Sequence, residues 1–577
     1  MHLMSEVSLD DQVRNSKMIV EGKVLSSKSM WNEDHTQIYS VSEIDVYKVF
    51  KGEPIGTVEV VTLGGVVDFE AEIVHPSLTP HKNEVGVFIL EEENELRFES
   101  SSNNSKKFKP YAGSQSFYKY NRFDKLAANG FSIKNDINAF YNELKGLSGE
   151  TIIDLGNFDF ETYSDFSNNI AVAISSISPT TISAGTGSIL TISGSGFGTT
   201  TGTVSFRDAD TGGATYIDVL DSHIVSWNDT QIQVVVPASA TVNGAGNAGT
   251  GTVRVTHASD TTFATSTTLT ISWAVTNVPY DWGNGLGYQD TPTRHRDIDD
   301  NGGYTWQMFT DFDAASSPKA TFETAFDSWR CETGINWTFG AVTTTDAVAS
   351  DGINIIRFDN GELPSNVLGR CTSYYSANCG FTDGDLYWYV AEMDINFNED
   401  ISWYYSSDGG SIGFTEYDFE SVAVHELGHG HQLPHVINSG AIMHYSIANS
   451  IVSRTLSVGD IAAGNDVQGR SVLGNPCIAE PDMTAYNCTA SLEDQLLASG
   501  LEIYPNPTRG ILQIRNNSDQ TLKSYEVYDV SGRQILEGKF DDSVRTKEFN
   551  ISSLATGVYF IKINSDIASV AKQFVKE

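Results

Sequence analysis

The segment SVAVHELGHGHQLPH holds His-Glu-x-x-His at His425, Glu426 and His429. On an α-helix, positions i and i+4 share one face, so both imidazoles project together and can grip one metal ion. Glu426 follows the first histidine and stands beside the ion, placed to take a proton from water bound there. A Zn2+ ion lowers the pKa of such water from ~15.7 towards ~7, so hydroxide is available at neutral pH. His435 lies six residues after His429 and offers a third nitrogen once the helix has ended. His431, two residues from His429, points away from the ligand face, and both it and His444 are expected at the solvent. The chemistry implied is metal-assisted hydrolysis. A second ion site is suggested by Asp297-Ile-Asp299-Asp300-Asn301-Gly302, which matches the start of a calcium loop. Met308 stands where an EF-hand would have its last carboxylate, so Asp297, Asp299 and Asn301 form either a partial Ca2+ site or a solvated acidic turn.

These residues need a scaffold, and residues 276–480 have the texture of one. KATFETAFDSWRCE puts Phe322, Ala325, Phe326 and Trp329 on one helical face. GINIIRF and EMDINFN read as strands, and the helix carrying His425 follows. AIMHY comes next, with Met443 and Tyr445. In this order of parts the segment resembles the metzincin metallopeptidases, closest to the matrixin-like and astacin-like branches. The resemblance implies a twisted sheet above an active-site helix, Zn2+ on His425, His429 and His435, and Glu426 as general base and acid. It also implies Met443 as the methionine of the turn beneath the metal, and Tyr445 as a group that ligates zinc or steadies the oxyanion. Substrate is expected to lie extended along EMDINFN as an edge strand. One position departs from the family: Gln432 stands where the pattern has a glycine with positive φ, at a cost of about 1 kcal/mol if the same turn is kept.

The flanking regions are β-patterned. Residues 1–135 alternate apolar and polar in short runs and read as a small N-terminal β-domain, with a helix and linker at 136–173. Residues 174–273 lack lysine and are rich in Thr, Ser, Gly and Val. SILTISGSGFG, SWNDTQIQVVVPA and GTVRVT are similar in order to an IPT/TIG domain, an immunoglobulin-like sandwich, which implies a spacer or binding module. After a linker at 481–500, residues 501–577 hold Tyr504-Pro505-Asn506-Pro507, Gly510, Asp529, Gly532, Leu554, Gly557 and Tyr559. That spacing resembles the type IX secretion sorting domains of Bacteroidota. It implies engagement of that machinery and a protein that is secreted or attached to the outer-membrane surface. The start has no basic segment followed by an apolar one, so no export signal is visible and a truncated or misassigned N-terminus is expected. The expected architecture is multidomain: an α+β metzincin-like catalytic domain flanked by all-β domains.

Composition sets the exclusions. Lys and Arg number 36 against 74 Asp and Glu, a net charge of −38. This balance opposes nucleic acid and anionic membranes. No apolar run approaches the ~18–20 residues of a transmembrane helix. Residues 276–480 carry 8 basic and 28 acidic side chains, so more than half the charge sits there. That fits solubility outside the cell and a preference for basic substrates. Five cysteines allow small loops at Cys371–Cys379 and Cys477–Cys488, with Cys331 left odd, or unpaired buried thiols. The function expected is a secreted zinc endopeptidase acting on protein or peptide. The alternative is a surface adhesin with a degenerate peptidase domain, for which Gln432 and the sandwich speak.

Overall fold

The computed structural model describes the chain apart from residues 1–3, 95, 97, 99–105, 166–172, 240, 260–262, 284, 286, 378–385, 407–409, 473–481, 487, 489–496, 498–499, 519, 530–532, 541–544 and 566–567. Cys379, Cys477 and Gly532 lie outside the described residues. The chain forms two compact units, Met1–Leu456 with Ala463–Tyr486, and Ser457–Ala462 with Asn487–Glu577.

The larger unit begins with a barrel. Met18–Trp31, Ile38–Lys51, Thr57–Leu63, Lys107–Pro110 and Val85–Glu93 pair in that order, and the first closes back onto the last. Closure covers the edges of these five strands, alternating residues such as Val20, Ile44, Val60 and Phe88 fill the interior, and Phe117–Asn121, Leu126–Ala128 and Ile133–Lys134 extend the sheet from Val85–Glu93. A helix, Ile137–Ser148, capped by the Asp136 side chain, packs Ile137, Phe140 and Leu144 outside it. A sandwich follows. One sheet is built from Ala173–Ser178, Ile189–Ser195, Gln231–Val235 and Ile224–Asn228. The other is built from Thr181–Ala184, Phe263–Ala274, Ala248–Thr256, Thr203–Asp208 and Tyr216–Asp218.

The third body is a mixed sheet of seven strands: β1 (Gly65–Val67), β2 (Glu70–His75), β3 (Tyr304–Met308), β4 (Trp337–Phe339), β5 (Asn354–Phe358), β6 (Gly369–Ser376) and β7 (Tyr389–Phe397). Their order is β4-β3-β5-β7-β6-β2-β1. EMDINFN therefore lies in β7, an interior strand between β5 and β6, and is not the edge expected for substrate. Its polar residues are taken up inside the sheet: Asp394 is buried, accepting the Ala349 and Ile355 N–H groups at 3.1 Å each. The sheet's own last strand is β6, antiparallel to β7, and β2 of the N-terminal region pairs along it from Cys371↔His75 to Ser376↔Glu70.

Two helices cover the sheet, α1 (Ser316–Thr333) and α2 (Phe419–Gly430). The apolar face of α1 is the expected one, with Phe322, Ala325, Phe326 and Trp329 fully buried. Trp329 ties the two helices by donating its indole N–H to the Val424 carbonyl at 2.7 Å.

The smaller unit is a sandwich around Leu512, Ile514, Val527, Ile561, Ile563 and Phe574. Cys331 and Cys488 each take part in a disulfide, so Cys331 is not the odd cysteine. Cys371 is a free thiol, because its place inside β6, flanked by β2 and β7, buries it.

Candidate metal centre

Helix α2 starts on Asp418, whose carboxylate accepts the Ser421 N–H at 3.0 Å and pairs with Arg454. Every residue of α2 is buried, since it runs under the sheet, beside α1 and over the segment that follows it. Gly428 makes the last contact possible: a Cβ there would stand 2.2 Å from the Met443 sulfur and 3.0 Å from the Trp329 ring. Met443 thus lies directly against the helix turn between His425 and His429, and its carbonyl accepts the Val436 N–H at 2.8 Å, closing the loop.

His425, His429 and His435 converge, with one ligand atom from each lying within 4.8 Å of the others. Their outer nitrogens fix the tautomers. His425 Nδ1 bonds the Ile442 carbonyl at 2.7 Å and His429 Nδ1 the Leu433 carbonyl at 2.8 Å. A carbonyl only accepts, so in the neutral rings the protons sit on Nδ1 and both Nε2 atoms are bare lone pairs. Yet these Nε2 atoms face each other at 3.0 Å. Two acceptors held so close call for a cation between them. This donor set, all nitrogen and oriented from behind, fits a zinc-type ion.

Glu426 is fully buried beside Gly369 at the start of β6, where a glycine Cβ would come within 3.2 Å of its carboxylate. Neither oxygen is satisfied by a well-formed hydrogen bond. Burial pushes its carboxyl well above the usual range, against the weaker pulls of the Arg370 charge and the Cys371 N–H.

Gln432 keeps the turn that the family assigns to glycine, with φ 71. Its side chain is fully used: Oε1 accepts the Tyr375 hydroxyl at 2.6 Å and Nε2 donates to the Gly430 carbonyl at 3.0 Å. Gln432 therefore holds the left-handed turn with both ends of its side chain bonded.

Two further residues reach this site from elsewhere in the chain. His75, the last residue of β2, stacks on His429 with ring centroids 4.0 Å apart and planes at 9°, and lies 6.0 Å from His435. Asp210, in the sandwich, accepts His435 Nδ1–H at 2.8 Å. Neither has a local signature, because each arrives by tertiary packing.

Other expectations fare differently. Tyr445 is partly buried against Gly212 of the sandwich, its ring edge-on to His444. His431 is buried, not solvent-facing: its ring lies near Trp329 and Trp337, and Nε2 bonds the Thr333 hydroxyl at 2.9 Å. At Asp297–Asn301, Asp299 turns a carboxylate oxygen to the Asn301 N–H at 3.0 Å. Among the described residues the histidine triad is the one converged metal-type group, so calcium finds no support.

Residues 301–467 match the matrixin family model, residues 173–271 the IPT/TIG domain, and residues 502–577 the secretion system C-terminal sorting domain. No curated protein matches the chain. Among solved structures, a DUF3244-family protein with an immunoglobulin-like β-sandwich from Bacteroides vulgatus is similar at 15% identity and a TM-score of 0.13. That likeness covers 14% of this chain and 85% of that one. The sorting domain indicates type IX secretion, with the protein secreted or surface-attached, and no helix among the described residues is long and apolar enough to cross a membrane. The matrixin domain supports a metallopeptidase. The chain thus carries a matrixin domain between an IPT/TIG domain and a secretion-system sorting domain.

Proposed function

We propose that this is a zinc-dependent endopeptidase in which His425, His429 and His435 hold the metal and Glu426 moves the protons. The observation that carries it is the pair of bare Nε2 atoms at 3.0 Å, with the uncommitted Glu426 carboxyl in the adjoining turn of the same helix. A bound Zn2+ supplies a Lewis acid for the scissile carbonyl and a water acidic enough to ionise near neutral pH. Glu426 takes the proton of the attacking water and returns it to the leaving amine. No well-formed hydrogen bond ties either of its oxygens to another group.

Strand β6 provides the docking edge once β2, which covers it in the intact chain, is displaced. An extended peptide pairing with it by main-chain hydrogen bonds brings the residue opposite Cys371 to the end of the strand where Glu426 lies against Gly369. Tyr445 is assigned to steadying the oxyanion on its sequence position alone. The acidic balance of residues 276–480 favours substrates with basic side chains around the scissile bond.

The test is zinc analysis with a casein or gelatin assay, on the intact chain and on chain cut between residues 165 and 173. One zinc per chain and cleavage by the cut form are expected. Glu426→Gln is expected to keep the zinc and lose on the order of 10²–10⁴ in turnover. Turnover retained by Glu426→Gln would sink the proton-transfer role, and a chain that binds no zinc would sink the metal centre. A zinc-loaded chain that cleaves nothing would point to a surface-binding protein instead.

A further inference from the structure

We infer that Asp210 of the sandwich is the positioning residue of the third metal ligand, which makes the sandwich a working part of the metal centre and not a spacer. The inference rests on the reading of His435 as a ligand. His425 and His429 are held by the helix that carries them and give their Nδ1 protons to carbonyls of the segment just beyond it. His435 stands past the end of that helix, after Pro434, and gives its Nδ1 proton to a carboxylate brought from 225 residues away.

That carboxylate is set in advance. Asp210 lies in the short turn Ala209–Thr211, capped by Asp208, whose Oδ1 accepts the Asp210 N–H at 3.0 Å. Asn247 donates its Nδ2–H to the second Asp210 oxygen at 3.0 Å, and its carbonyl accepts the Ala209 N–H at 2.9 Å. Both Asp210 oxygens are thus engaged, one by the sandwich and one by His435.

The approach is built for contact. Gly212, at φ 61, admits the Tyr445 ring, which a Cβ would meet at 2.4 Å, and Gly249 admits Ile437, at 2.6 Å. The chain leaving the sandwich donates the Thr276 N–H to the Gln432 carbonyl at 2.9 Å, three residues before His435. Sandwich and ligand segment are therefore fixed at three places.

A carboxylate behind a ligating histidine fixes the tautomer that leaves Nε2 bare, sets the ring plane and makes the ligand more basic. Its loss typically lowers metal affinity about 10–100-fold.

The experiment is a Zn2+ competition titration against a chromophoric chelator on the full chain, with the visible absorption of the Co2+-loaded protein as a second readout. Asp210→Ala is expected to bind Zn2+ about 10–100-fold more weakly. Asp210→Asn is expected to fall between it and the wild type, since an amide oxygen still accepts but carries no charge, and it carries the test if the alanine variant fails to fold. Asp208→Ala loosens the turn that sets Asp210 but leaves the Asp210 carboxylate present, and is expected to weaken Zn2+ binding less than Asp210→Ala does. If Asp208→Ala loses as much as Asp210→Ala, the effect belongs to the turn's folding and the positioning role is overturned. If both Asp210 variants match the wild type while His435→Ala is weakened, the inference falls and the ligand set stands. If His435→Ala also matches the wild type, the ligand set itself fails and takes the inference with it.

Discussion

Gln432 occupies a left-handed backbone position, φ 71, that L side chains enter at about 1–2 kcal/mol. Its two buried side-chain bonds offset that cost. Gln432→Ala keeps the strain and strands the Tyr375 hydroxyl, so it is expected to destabilise by about 1–3 kcal/mol in urea unfolding. Gln432→Gly is expected to recover about 1 kcal/mol of that loss by relieving the backbone. Gly428→Ala would drive a methyl into the Met443 sulfur and is expected to cost about 1–3 kcal/mol, with weakened zinc retention in dialysis. What sequence made legible at this scale was local. His425 and His429 are one helical turn apart, Glu426 is their neighbour, and His435 and Met443 follow within a short loop. Asp210 and His75 were illegible for the converse reason, since their partners are set by how separate bodies pack. His431 misled because a helix-end histidine reads as exposed, whereas two tryptophans enclose this one.

At the scale of elements, the sheet was half legible. The periodicity of α1 announced its buried face, but EMDINFN was expected at the edge of the sheet and lies inside it. Asp394 and Asn396 are buried instead, Asp394 by the loop N–H groups it binds, and a one-letter pattern cannot tell such loop anchors from solvated residues. Nor could the sequence reveal that β2 leaves the barrel region to pair with β6. Because β2 lies on the edge proposed for substrate, removal of residues 1–165 by a single cut is expected to raise turnover of casein. Equal rates before and after the cut would argue that peptides enter elsewhere. Glu72, fully buried in β2, strengthens a further expectation. Burial pushes its carboxyl up to about 8, opposed by the Ile38 N–H and Arg370 and aided by Glu392. The folded state therefore holds a proton that the unfolded state has lost above its ordinary carboxyl pKa. Stability is expected to fall as pH rises from about 4.5 to about 8, and Glu72→Gln to flatten that stretch of a melting-temperature profile.

At the scale of the whole molecule, ligand binding stabilises the body that holds the site. The two compact units have separate cores, so calorimetry is expected to resolve a transition for the C-terminal sandwich that is unmoved by chelator. The transition of the larger unit is expected to drop when zinc is stripped, by about 4 kcal/mol of apparent stability if free zinc had stood a thousandfold above its dissociation constant. A chelator that shifts both transitions equally would argue against a metal confined to the triad. The charge follows a similar division, since residues 276–480 carry 8 basic and 28 acidic side chains, more than half of the net charge of −38, while residues 501–577 hold 10 basic and 10 acidic side chains. The pairing of β2 with β6 also has a kinetic meaning. A strand on the same chain competes at an effective concentration on the order of millimolar, whatever the amount of protein present. While the chain is whole, a free peptide must outbid that local excess, and dilution does not help it. After one cut between barrel and sandwich the competitor would become a separate molecule, so casein turnover by the cut chain is expected to rise further on dilution.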